Sequence, residues 1–531
     1  MPLTASDIAA APFRRVTDCI RLHAEQAPQR PALRDASTTL DYAGLDAHMD
    51  RIAAALVHAE LPPGAAIAIC AQASVDYAAV FLGALRAGVA VAPLAPGSTA
   101  QSLRRMVDNA QATLLFVDAA GFEALQRQAP EGVTLIGIGP PPAAEGLQTL
   151  EDWLAAAPAA DPVALAQRQP AEDAPFNIIY SSGTTGEPKG IVQSHAMRWA
   201  HVQRGQSYGY GPETVTLLST PLYSNTTLVV FFPTLAYGGC VLLMPKFEAG
   251  AWLRLAEAHG VTHTMLVPVQ YQRLLAHPDF DRTDLGRFHI KFCTSAPFSA
   301  ALKAEALARW PGGLVEFYGM TEGGGTCLLE AHLHPDKLHT VGRPAPGSDI
   351  RLIDEEGREL PPGTVGVAGE VVGRSGGMMT GYHRQPEKTR EAEWFSAEGL
   401  RFIRTGDVGR FDADGFLTLA DRKKDLVISG GFNIYPSDLE AVLREHPGVA
   451  DAAVVGVPSE QWGETPVAFV VRSAQAGAIT PEALLAWANA RLGKTQRLSA
   501  VQWLDELPRS AIGKVLKREL RDAWDARAGT Q

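Results

Sequence analysis

A run of hydroxyl residues and glycines that ends in a lysine is the first stretch of this sequence that could bind a ligand. Residues 181–190 read SSGTTGEPKG. Glycines in such a run free backbone N–H groups to face an anion, while hydroxyls and a lysine add donors and charge. A P-loop needs its lysine directly after the second glycine, whereas Glu187 and Pro188 intervene here. The stretch therefore predicts a different kind of phosphate loop, with a flexible loop that binds nothing as the alternative.

A second stretch, EFYGMTEGGG at residues 316–325, places an aromatic ring, a hydroxyl and a carboxylate close together. Tyr318 offers a flat face to a base and Thr321 a donor to a phosphate. Glu322 offers an oxygen ligand to Mg²⁺, which proteins commonly bind through one or two carboxylates and the phosphates of the substrate. The alternative is a helix with Thr321 as its N-cap. The stretch alone leaves both interpretations open.

Two more polar residues lie towards the C-terminus. Asp407 ends the sequence RTGD, and an ionised carboxylate there could accept hydrogen bonds from both hydroxyls of a ribose. The alternative is an aspartate that only caps a turn. Lys514 ends LPRSAIGK, ahead of a basic helical pattern, and a solvated lysine is the alternative interpretation.

The predicted secondary structure places the 181–190 loop at the end of a strand. The first 170 residues alternate short apolar strands with helical patterns, which predicts a largely parallel, doubly wound sheet. A strand at 176–182 leads into the loop, and strands at 241–247, 263–269 and 289–295 continue the alternation. Ligands in open α/β sheets bind at the carboxyl ends of strands, so the loop lies where a ligand is expected.

The pattern changes after about Val341, where short strands alternate with DG, EG and PPG turns. This predicts an antiparallel β region. A small α/β unit follows after Leu426, and the charged turn at 421–425 is the expected boundary. The elements predicted in this unit are helices at 437–447 and 481–493 and strands at 449–458 and 465–472.

Bulk composition restricts the class of protein. A chain of 531 residues is longer than one hydrophobic core usually supports, so we expect at least two domains. Its net charge of −11 argues against a broad surface for nucleic acid or acidic membranes. Five cysteines without zinc-ligand spacing indicate free thiols in a reducing compartment. Prolines and glycines interrupt the uncharged stretch 214–245, so we expect a buried strand–helix–strand there and no membrane span. No secretory signal is visible, and we expect a cytoplasmic protein.

Taken together, these motifs resemble the adenylate-forming superfamily of acyl- and aryl-CoA synthetases, non-ribosomal adenylation domains and beetle luciferases. The resemblance implies an α/β fold with a large N-terminal domain, residues 1–421, of two doubly wound α/β subdomains plus a β-barrel. It also implies a small mobile α+β C-terminal domain, residues 422–531, that carries the catalytic lysine. The motifs follow the family's order along nearly the whole chain: RPALRDASTTLDYAGLD, YSSGTTGEPKGIVQSH, STPLY, YGMTE, RTGD, DRKKDLVISGGFNIYPSDLE and LPRSAIGK.

The resemblance implies that ATP and a carboxylic acid give an acyl-adenylate and pyrophosphate, after which the acyl group passes to coenzyme A. The implied cofactors are ATP, Mg²⁺ and coenzyme A. The implied phosphate contacts are Ser181, Ser182, Gly183, Thr184, Thr185, Gly186 and Lys189. The other implied cofactor contacts are Ser295, Ala296, Pro297 and Tyr318 at the adenine, Gly319 beside them, Asp407 and Arg422 at the ribose, and Gly430 and Gly431 at the pantetheine. Thr321, Glu322 and Lys514 are implied as catalytic residues, Glu322 also as the metal ligand, and Lys424 as the hinge.

The acid site departs from the family's commonest pattern, because Ser224 follows Tyr223 where many CoA ligases have a histidine. Neither an aspartate for a substrate ammonium nor a fused carrier domain is visible, which favours an AMP-forming acid–CoA ligase. A free-standing adenylation domain that loads a carrier protein is the alternative, and a luciferase-like or inactive relative is third. We expect an apolar acid, because no unpaired basic residue is evident for a second carboxylate. The predicted acid contacts are Tyr223, Ser224, Asn225, Gly323 and Gly324, the glycines leaving room.

The predicted partners follow from this function. They are a small-molecule carboxylic acid and coenzyme A, with no nucleic acid and no membrane span. A homodimer is one possible assembly.

Overall fold

The computed structural model of this chain divides into two compact units. The first contains Met1–Leu338, Pro344–Asp349 and Gly373–Ile403, and the second contains His339–Arg343, Ile350–Val372 and Arg404–Gln531. No helix among the described residues is long and apolar enough to cross a membrane. The described residues are 4–139, 147–159, 161–181, 188–422, 425–429, 432–459, 462–473, 479–493, 496–510 and 513–528.

Strands within these ranges are, in chain order, β1 Pro31–Arg34, β2 Thr39–Asp41, β3 Ala66–Cys70, β4 Ala90–Leu94, β5 Leu114–Val117, β6 Thr134–Gly137, β7 Gln148–Thr149, β8 Pro175–Ser181, β9 Lys189–Ser194, β10 Val215–Leu218, β11 Cys240–Leu243, β12 His263–Leu266, β13 Ile290–Cys293, β14 Gly313–Tyr318, β15 Cys327–Glu330, β16 Arg343–Pro344, β17 Ser348–Ile353, β18 Gly369–Ser375, β19 Gly381–Tyr382, β20 Glu393–Phe395, β21 Arg401–Phe411, β22 Leu417–Arg422, β23 Val427–Ser429, β24 Phe432–Ile434, β25 Val449–Ser459, β26 Gly463–Arg472 and β27 Ala500–Leu504.

The helices of the same ranges are α1 Ala5–Ala10, α2 Val16–Gln26, α3 Tyr42–His58, α4 Val75–Arg86, α5 Ala100–Ala110, α6 Ala119–Ala124, α7 Leu150–Ala155, α8 Pro162–Gln167, α9 His195–Gln203, α10 Asn225–Ala236, α11 Ala249–Ala258, α12 Pro268–Leu275, α13 Ala300–Arg309, α14 Pro386–Glu391, α15 Pro436–Arg444, α16 Pro481–Asn489 and α17 Lys517–Ala528. Short 3-10 turns occur at Arg204–Tyr208, Phe280–Arg282 and Pro335–Lys337.

A nine-stranded sheet has the order β16-β15-β14-β13-β12-β10-β11-β1-β2. Its central strands, from β1 to β14, pair in parallel. The strand order reverses at β10, because β11 lies on one side of it and β12 on the other. Ligands of open α/β sheets bind outside the carboxyl ends of the strands at such a reversal. The segments that leave β10, β13 and β14 at this edge are therefore placed to form a site.

An eight-stranded sheet has the order β19-β9-β8-β4-β3-β5-β6-β7. Strand β3 is buried along its whole length, with Ile67 and Ile69 in one hydrophobic cluster and Ala68 and Cys70 in another. Such burial on both faces is typical of parallel strands between helix layers. Near the edge formed by β19, β8 pairs antiparallel with β9, with Ser181 opposite Lys189. The predicted phosphate loop therefore connects the two strands of a β-hairpin.

The second unit ends in a small sheet of order β24-β23-β26-β25, with β27 beside β26. Successive residues of β25 face opposite sides, as the period of a strand requires. Val454 packs in a cluster with Leu439 of α15, and Val455 packs in a cluster with Leu520 of α17. Both faces of this sheet are therefore covered by helices.

The predicted fold class is confirmed as mixed α/β, and the small C-terminal α/β unit has the expected elements, α15, β25, β26 and α16. The uncharged stretch 214–245 is β10, α10 and β11, as predicted.

A helix that starts at Thr321 does not occur, because residues 319–326 form turns and irregular structure. The alternative for Asp407, an aspartate that only caps a turn, does not occur either. The sequence RTGD lies inside β21, where Gly406 has a φ of +71° and the register shifts after Asp407, as at a β-bulge.

The five cysteines are free, as predicted. Cys19, Cys70, Cys293 and Cys327 are buried, and Cys240 is partly buried. Burial raises the pKa of Cys19 and of Cys70 to about 12. These thiols therefore stay protonated at neutral pH.

Glu440 connects three elements of the second unit. Its Oε1 accepts hydrogen bonds from the backbone N–H of Val454 in β25 and from the Lys517 ammonium, both at 2.9 Å. Its Oε2 accepts from Arg444 at 3.4 Å. Only 9% of Glu440 is exposed. Because Lys517 begins α17, this carboxylate helps to position the segment that carries Lys514.

We expect Glu440→Ala to lower the free energy of unfolding of the second unit by about 3 kcal/mol. The substitution leaves a poorly solvated ammonium and a buried N–H without their acceptor. Native-state hydrogen exchange of the β25 and β26 backbone amides in the full chain, over a urea series, measures the change. Glu445→Ala, at an exposed residue after the same helix, is the matched control. Equal free energies of unfolding for the two variants would contradict the assignment.

Candidate active site

The adenine turn expected at residues 295–297 follows β13, and Tyr318 ends the neighbouring strand β14. Ser295 has a φ of +79°, a left-handed conformation that costs a non-glycine residue about 1–3 kcal/mol and persists where the surroundings hold it. Its hydroxyl lies 2.5 Å from the hydroxyl of Thr226 in α10. The Thr294 hydroxyl donates to the carbonyl of Phe317 at 2.8 Å. These bonds connect Ser295 to the start of α10 and the preceding Thr294 to the end of β14.

The predicted acid contacts Tyr223, Ser224 and Asn225 lie where β10 leads into α10. The Ser224 hydroxyl caps this helix by accepting from the backbone N–H of Thr226 at 3.3 Å, and Asn225 is the first helical residue. Tyr223 is half-buried, and burial raises its pKa. The substitution of serine for the common histidine therefore supplies a helix cap at this position.

Gln193 in β9 was missed by the sequence analysis and brings two predicted site residues together. Its Nε2 donates to the carbonyl oxygen of Thr321 at 2.7 Å and lies 3.4 Å from Oδ1 of Asn225. Its Oε1 accepts from Nδ2 of Asn177 at 3.0 Å and from the Arg198 guanidinium. Gln193 is fully buried. This one amide therefore fixes Thr321 and Asn225 relative to each other.

Arg198 in α9 lies behind Gln193 and is only 1% exposed. Its Nε and Nη2 each donate to Oδ1 of Asn177 at 3.0 Å. The guanidinium donates to amide oxygens and forms no ion pair with a carboxylate of the described residues. Its Nη1 has no hydrogen-bond partner among these residues. Burial lowers its pKa to about 9. An unpaired basic residue, which the sequence analysis did not find, is therefore present behind the site.

Glu322, the predicted Mg²⁺ ligand, is held from two sides. Its backbone carbonyl accepts from the N–H of Met379 at 2.8 Å, and its Oε1 accepts from the Tyr382 hydroxyl at 2.9 Å. The ammonium of Lys189 lies 5.4 Å from the centre of the Tyr382 ring. Burial, with the nearby Glu322 carboxylate, raises the pKa of the Tyr382 hydroxyl far above its usual range. Tyr382 is therefore a permanent hydrogen-bond donor.

The oxygen ligands around Glu322 fit a magnesium ion that binds together with its nucleotide. No group of three or more metal-binding side chains occurs in the described part of the chain, so these residues form no cage of protein ligands. Tyr382 occupies Oε1 of Glu322, which leaves the second carboxylate oxygen for a cation. Mg²⁺ commonly uses one such carboxylate together with substrate phosphates.

Gly323 and Gly324 do not provide the open space that the sequence analysis expected. A Cβ on Gly323, whose φ is +73°, would lie 1.7 Å from the carbonyl oxygen of Gly377. A Cβ on Gly324 would lie 2.6 Å from Cβ of Ile403. The two glycines allow the turn to approach neighbouring chain segments closely. Other parts of the protein occupy the side on which a Cβ would lie at each glycine. Contact between the two glycines and an acid on the opposite side stays a prediction.

The second unit brings two predicted ribose contacts together, since Asp407 in β21 lies directly opposite Arg422 in β22. Two hydrogen bonds connect Lys514 to Ser510. The Ser510 N–H donates to the carbonyl of Lys514 at 2.8 Å, and the Lys514 N–H donates to the Ser510 hydroxyl at 3.2 Å. The remaining predicted residues lie outside the described ranges: Ser182, Gly183, Thr184, Thr185, Gly186, Lys424, Gly430 and Gly431, and the side chains of Ser181 and Arg422.

Comparison with known proteins places this chain in a family. The family model described as AMP-binding enzyme matches residues 20–383, and the model of the AMP-binding enzyme C-terminal domain matches residues 438–514. The chain belongs to the AMP-binding enzyme family. The predicted membership of the adenylate-forming superfamily, in its acyl- and aryl-CoA synthetase branch, is therefore confirmed.

Relatives of this AMP-binding enzyme match along nearly their full length. A fatty acid–[acyl-carrier-protein] ligase of Streptomyces coeruleorubidus is 33% identical, over 94% of this chain and 95% of the relative. A feruloyl-CoA synthase of Amycolatopsis is 33% identical, over 94% and 96%. The crystal structure of ATP-bound MatB from Rhodopseudomonas palustris is 30% identical and has a TM-score of 0.84, over 96% of this chain and 99% of MatB.

The residues that sequence reasoning missed in this AMP-binding enzyme carry different signals. Gln193 follows the apolar residues of GIVQSH inside a buried strand, and a lone amide in such a strand is a detectable signal. Tyr382 belongs to MMTGYH, far along the chain from Glu322. No local pattern connects these two residues, so only the tertiary structure reveals their contact.

We expect Gly323→Ala to destabilise the first unit by about 3 kcal/mol, because the new methyl group would overlap a backbone carbonyl at a left-handed residue. Acid-dependent pyrophosphate release should fall with it. Thermal unfolding and a pyrophosphate assay measure the two effects. The control is Gly376→Ala, because nothing lies within 4 Å of a Cβ at Gly376. Similar unfolding temperatures for both variants would refute the packing role of Gly323.

Proposed function

We propose that this AMP-binding enzyme is an ATP-dependent acid–CoA ligase. In the first step a carboxylate oxygen of the acid attacks the α-phosphorus of ATP, which forms an acyl-adenylate and releases pyrophosphate. In the second step the thiolate of coenzyme A attacks the acyl carbonyl, which forms the thioester and releases AMP. The mixed anhydride is needed because a free carboxylate is a poor electrophile.

One observation carries this proposal beyond family membership. The segments after β10, β13 and β14 meet at the carboxyl edge of the nine-stranded sheet, at the reversal of its strand order. Gln193 connects Thr321 with Asn225 there, and the Ser295 hydroxyl contacts Thr226. The residues proposed for the α-phosphate, the acid and the adenine therefore share one hydrogen-bonded assembly.

The proposed roles within the first unit follow this assembly. Tyr318 and Gly319 lie against the adenine, opposite the turn at 295–297. Thr321 donates to the α-phosphate, and Glu322 holds the Mg²⁺, which neutralises phosphate charge. Lys189 and the loop before it bind the phosphates that leave as pyrophosphate. Such reactions depend mainly on positioning and charge neutralisation.

The proposed roles within the second unit remain those implied by the motifs. Asp407 and Arg422 bind the ribose, and their opposed positions in β21 and β22 support a joint role. Lys514 balances charge between the acid and the α-phosphate. The mobile part is proposed to begin after residue 421, with Lys424 as hinge and Gly430 and Gly431 moving to the pantetheine of coenzyme A.

Coenzyme A is the favoured acceptor, because relatives are named as CoA ligases for ferulate, indoleacetate and sulfoacetate. The alternative acceptor is a carrier protein, supported by the relative named fatty acid–[acyl-carrier-protein] ligase. A cytoplasmic location is proposed as well. The free cysteines of the chain and its use of ATP and coenzyme A support this location.

Lys514→Ala should lower the rate of adenylate formation about 10²–10³-fold, which is the typical effect of removing one contact to the charge that develops in a transition state. It should still convert a supplied acyl-adenylate and coenzyme A to thioester, because the proposed lysine acts only in the first step. Pyrophosphate release and thioester formation are measured separately. The exposed neighbour Arg518 offers a control, Arg518→Ala. An equal loss in both half-reactions would refute the assignment of Lys514 to one step.

A panel of aromatic, alicyclic, aliphatic and amino acids, assayed for pyrophosphate release, tests the function itself. We expect release with a non-amino carboxylic acid, faster turnover when coenzyme A is added, and an acyl-CoA product by mass spectrometry. A phosphopantetheinyl carrier protein replaces coenzyme A in a parallel reaction. Product on the carrier alone would establish the alternative acceptor, and release with amino acids alone would overturn the acid–CoA ligase proposal.

A further inference from the structure

We propose that Tyr382 is a positioning residue that holds Lys189 and Glu322 near each other and keeps them from forming an ion pair. Each charged group then stays available to bind Mg·ATP. This inference rests on the proposed function and deepens it. Lys189 is assigned to the departing pyrophosphate and Glu322 to the metal. A direct ion pair between the two would occupy both groups before the nucleotide binds.

The contacts of Tyr382 support this role. Its hydroxyl donates to Oε1 of Glu322 at 2.9 Å, and the Lys189 ammonium lies 5.4 Å from the centre of its ring. No ion pair joins Lys189 to any carboxylate among the described residues. The ring therefore presents its electron-rich face to the cation, while the hydroxyl presents a neutral donor to the anion.

The segment around Tyr382 holds this arrangement from the backbone. The Met379 N–H donates to the carbonyl of Glu322 at 2.8 Å, and the His383 N–H donates to the carbonyl of Gly190 at 2.6 Å. Nε2 of Gln385 donates to the carbonyl of Pro188 at 3.1 Å. The same segment therefore binds the turn that carries Glu322 and the hairpin strand that begins with Lys189.

Packing restricts the ring to this position. Tyr382 is 9% exposed and shares a hydrophobic cluster with Ile191, Met379 and Ile403. Strand β19 pairs with β9, with Tyr382 opposite Ile191. A side chain held by packing and by a strand register loses little additional freedom when it orients a carboxylate.

The hydroxyl also selects which oxygen of Glu322 is available. Because Oε1 accepts from Tyr382, the carboxylate is fixed in rotation and its other oxygen is left for the cation. Residues that orient a metal ligand in this way commonly affect metal affinity or activity by about 10–100-fold when they are replaced.

Tyr382→Phe, which keeps the ring and removes the hydroxyl, tests the positioning of Glu322. We expect the Mg²⁺ concentration for half-maximal acid-dependent pyrophosphate release to rise about 10-fold or more. Calorimetry should show weaker binding of ATP in the presence of Mg²⁺ and unchanged binding of ATP in its absence. Thioester formation from a supplied acyl-adenylate should keep its rate, because no metal-bound pyrophosphate leaves in that step.

Tyr382→Leu, which also removes the ring, tests the separation of charges. Lys189 and Glu322 can then pair, so ATP should bind more weakly even without Mg²⁺, and added salt should relieve part of this loss. The matched control is Tyr42→Phe, since the Tyr42 hydroxyl is also buried and lies within hydrogen-bond distance of the carbonyls of Leu235 and Gly239, at 3.0 and 2.8 Å. Thermal unfolding of all variants separates these effects from a loss of fold.

An unchanged Mg²⁺ requirement in Tyr382→Phe would overturn the inference, as would equal losses in both half-reactions. Tyr42→Phe should leave the Mg²⁺ requirement as it is, and a similar rise there would also overturn the inference. Failure of the proposed function gives a different result. The wild-type enzyme would then release no pyrophosphate with any acid, whereas calorimetry would still report the effect of Tyr382 on nucleotide binding.

Discussion

A buried amide without hydrogen-bond partners lowers the stability of a fold. The arrangement of the site depends on the hydrogen bonds that the buried Gln193 amide forms. A polar group inside a protein must find partners or destabilise the fold. Gln193 has partners in Asn177 and Arg198 on one side and in Thr321 and Asn225 on the other. Each partner belongs to a different element of the first unit. The network therefore fixes the relative positions of strands from one sheet and turns from the other.

Strained and crowded backbone surrounds this network. Ser295 keeps a left-handed conformation next to the Thr226 hydroxyl, and Gly323 lies so close to Gly377 that no side chain fits. Such conformations persist only where surrounding contacts determine them. Thr226 contacts Ser295, and Gly377 lies against Gly323. The parallel strands β13 and β14 bring the segment with Ser295 next to Tyr318, because the two strands are neighbours and end at the same edge of the sheet. Regular strands thus fix the ends of the irregular turns that carry the predicted site residues.

The sequence predicted the features that local patterns encode. The strand that leads to residue 181, the strand–helix–strand at 214–245 and the small C-terminal unit each follow from residue types at short spacing. Tyr382 and Gln193 were missed, because their roles arise from contacts with residues far along the chain. The expected space at Gly323 was wrong for the same reason, since Gly377 approaches it only in the folded structure. The alternative of a turn capped by Asp407 was wrong because a bulge near Gly406 lets the strand continue through a sequence typical of turns.

The protected cysteines have a chemical consequence for an enzyme that makes an activated acyl group. An acyl-adenylate reacts with any accessible thiolate, and the protein's own cysteines would compete with coenzyme A for it. Four of the five are buried, and the high pKa of Cys19 and Cys70 leaves almost no thiolate at neutral pH. The fold thereby keeps these thiols from reacting with the acyl group. The thiol of the incoming acceptor meets little competition for the intermediate.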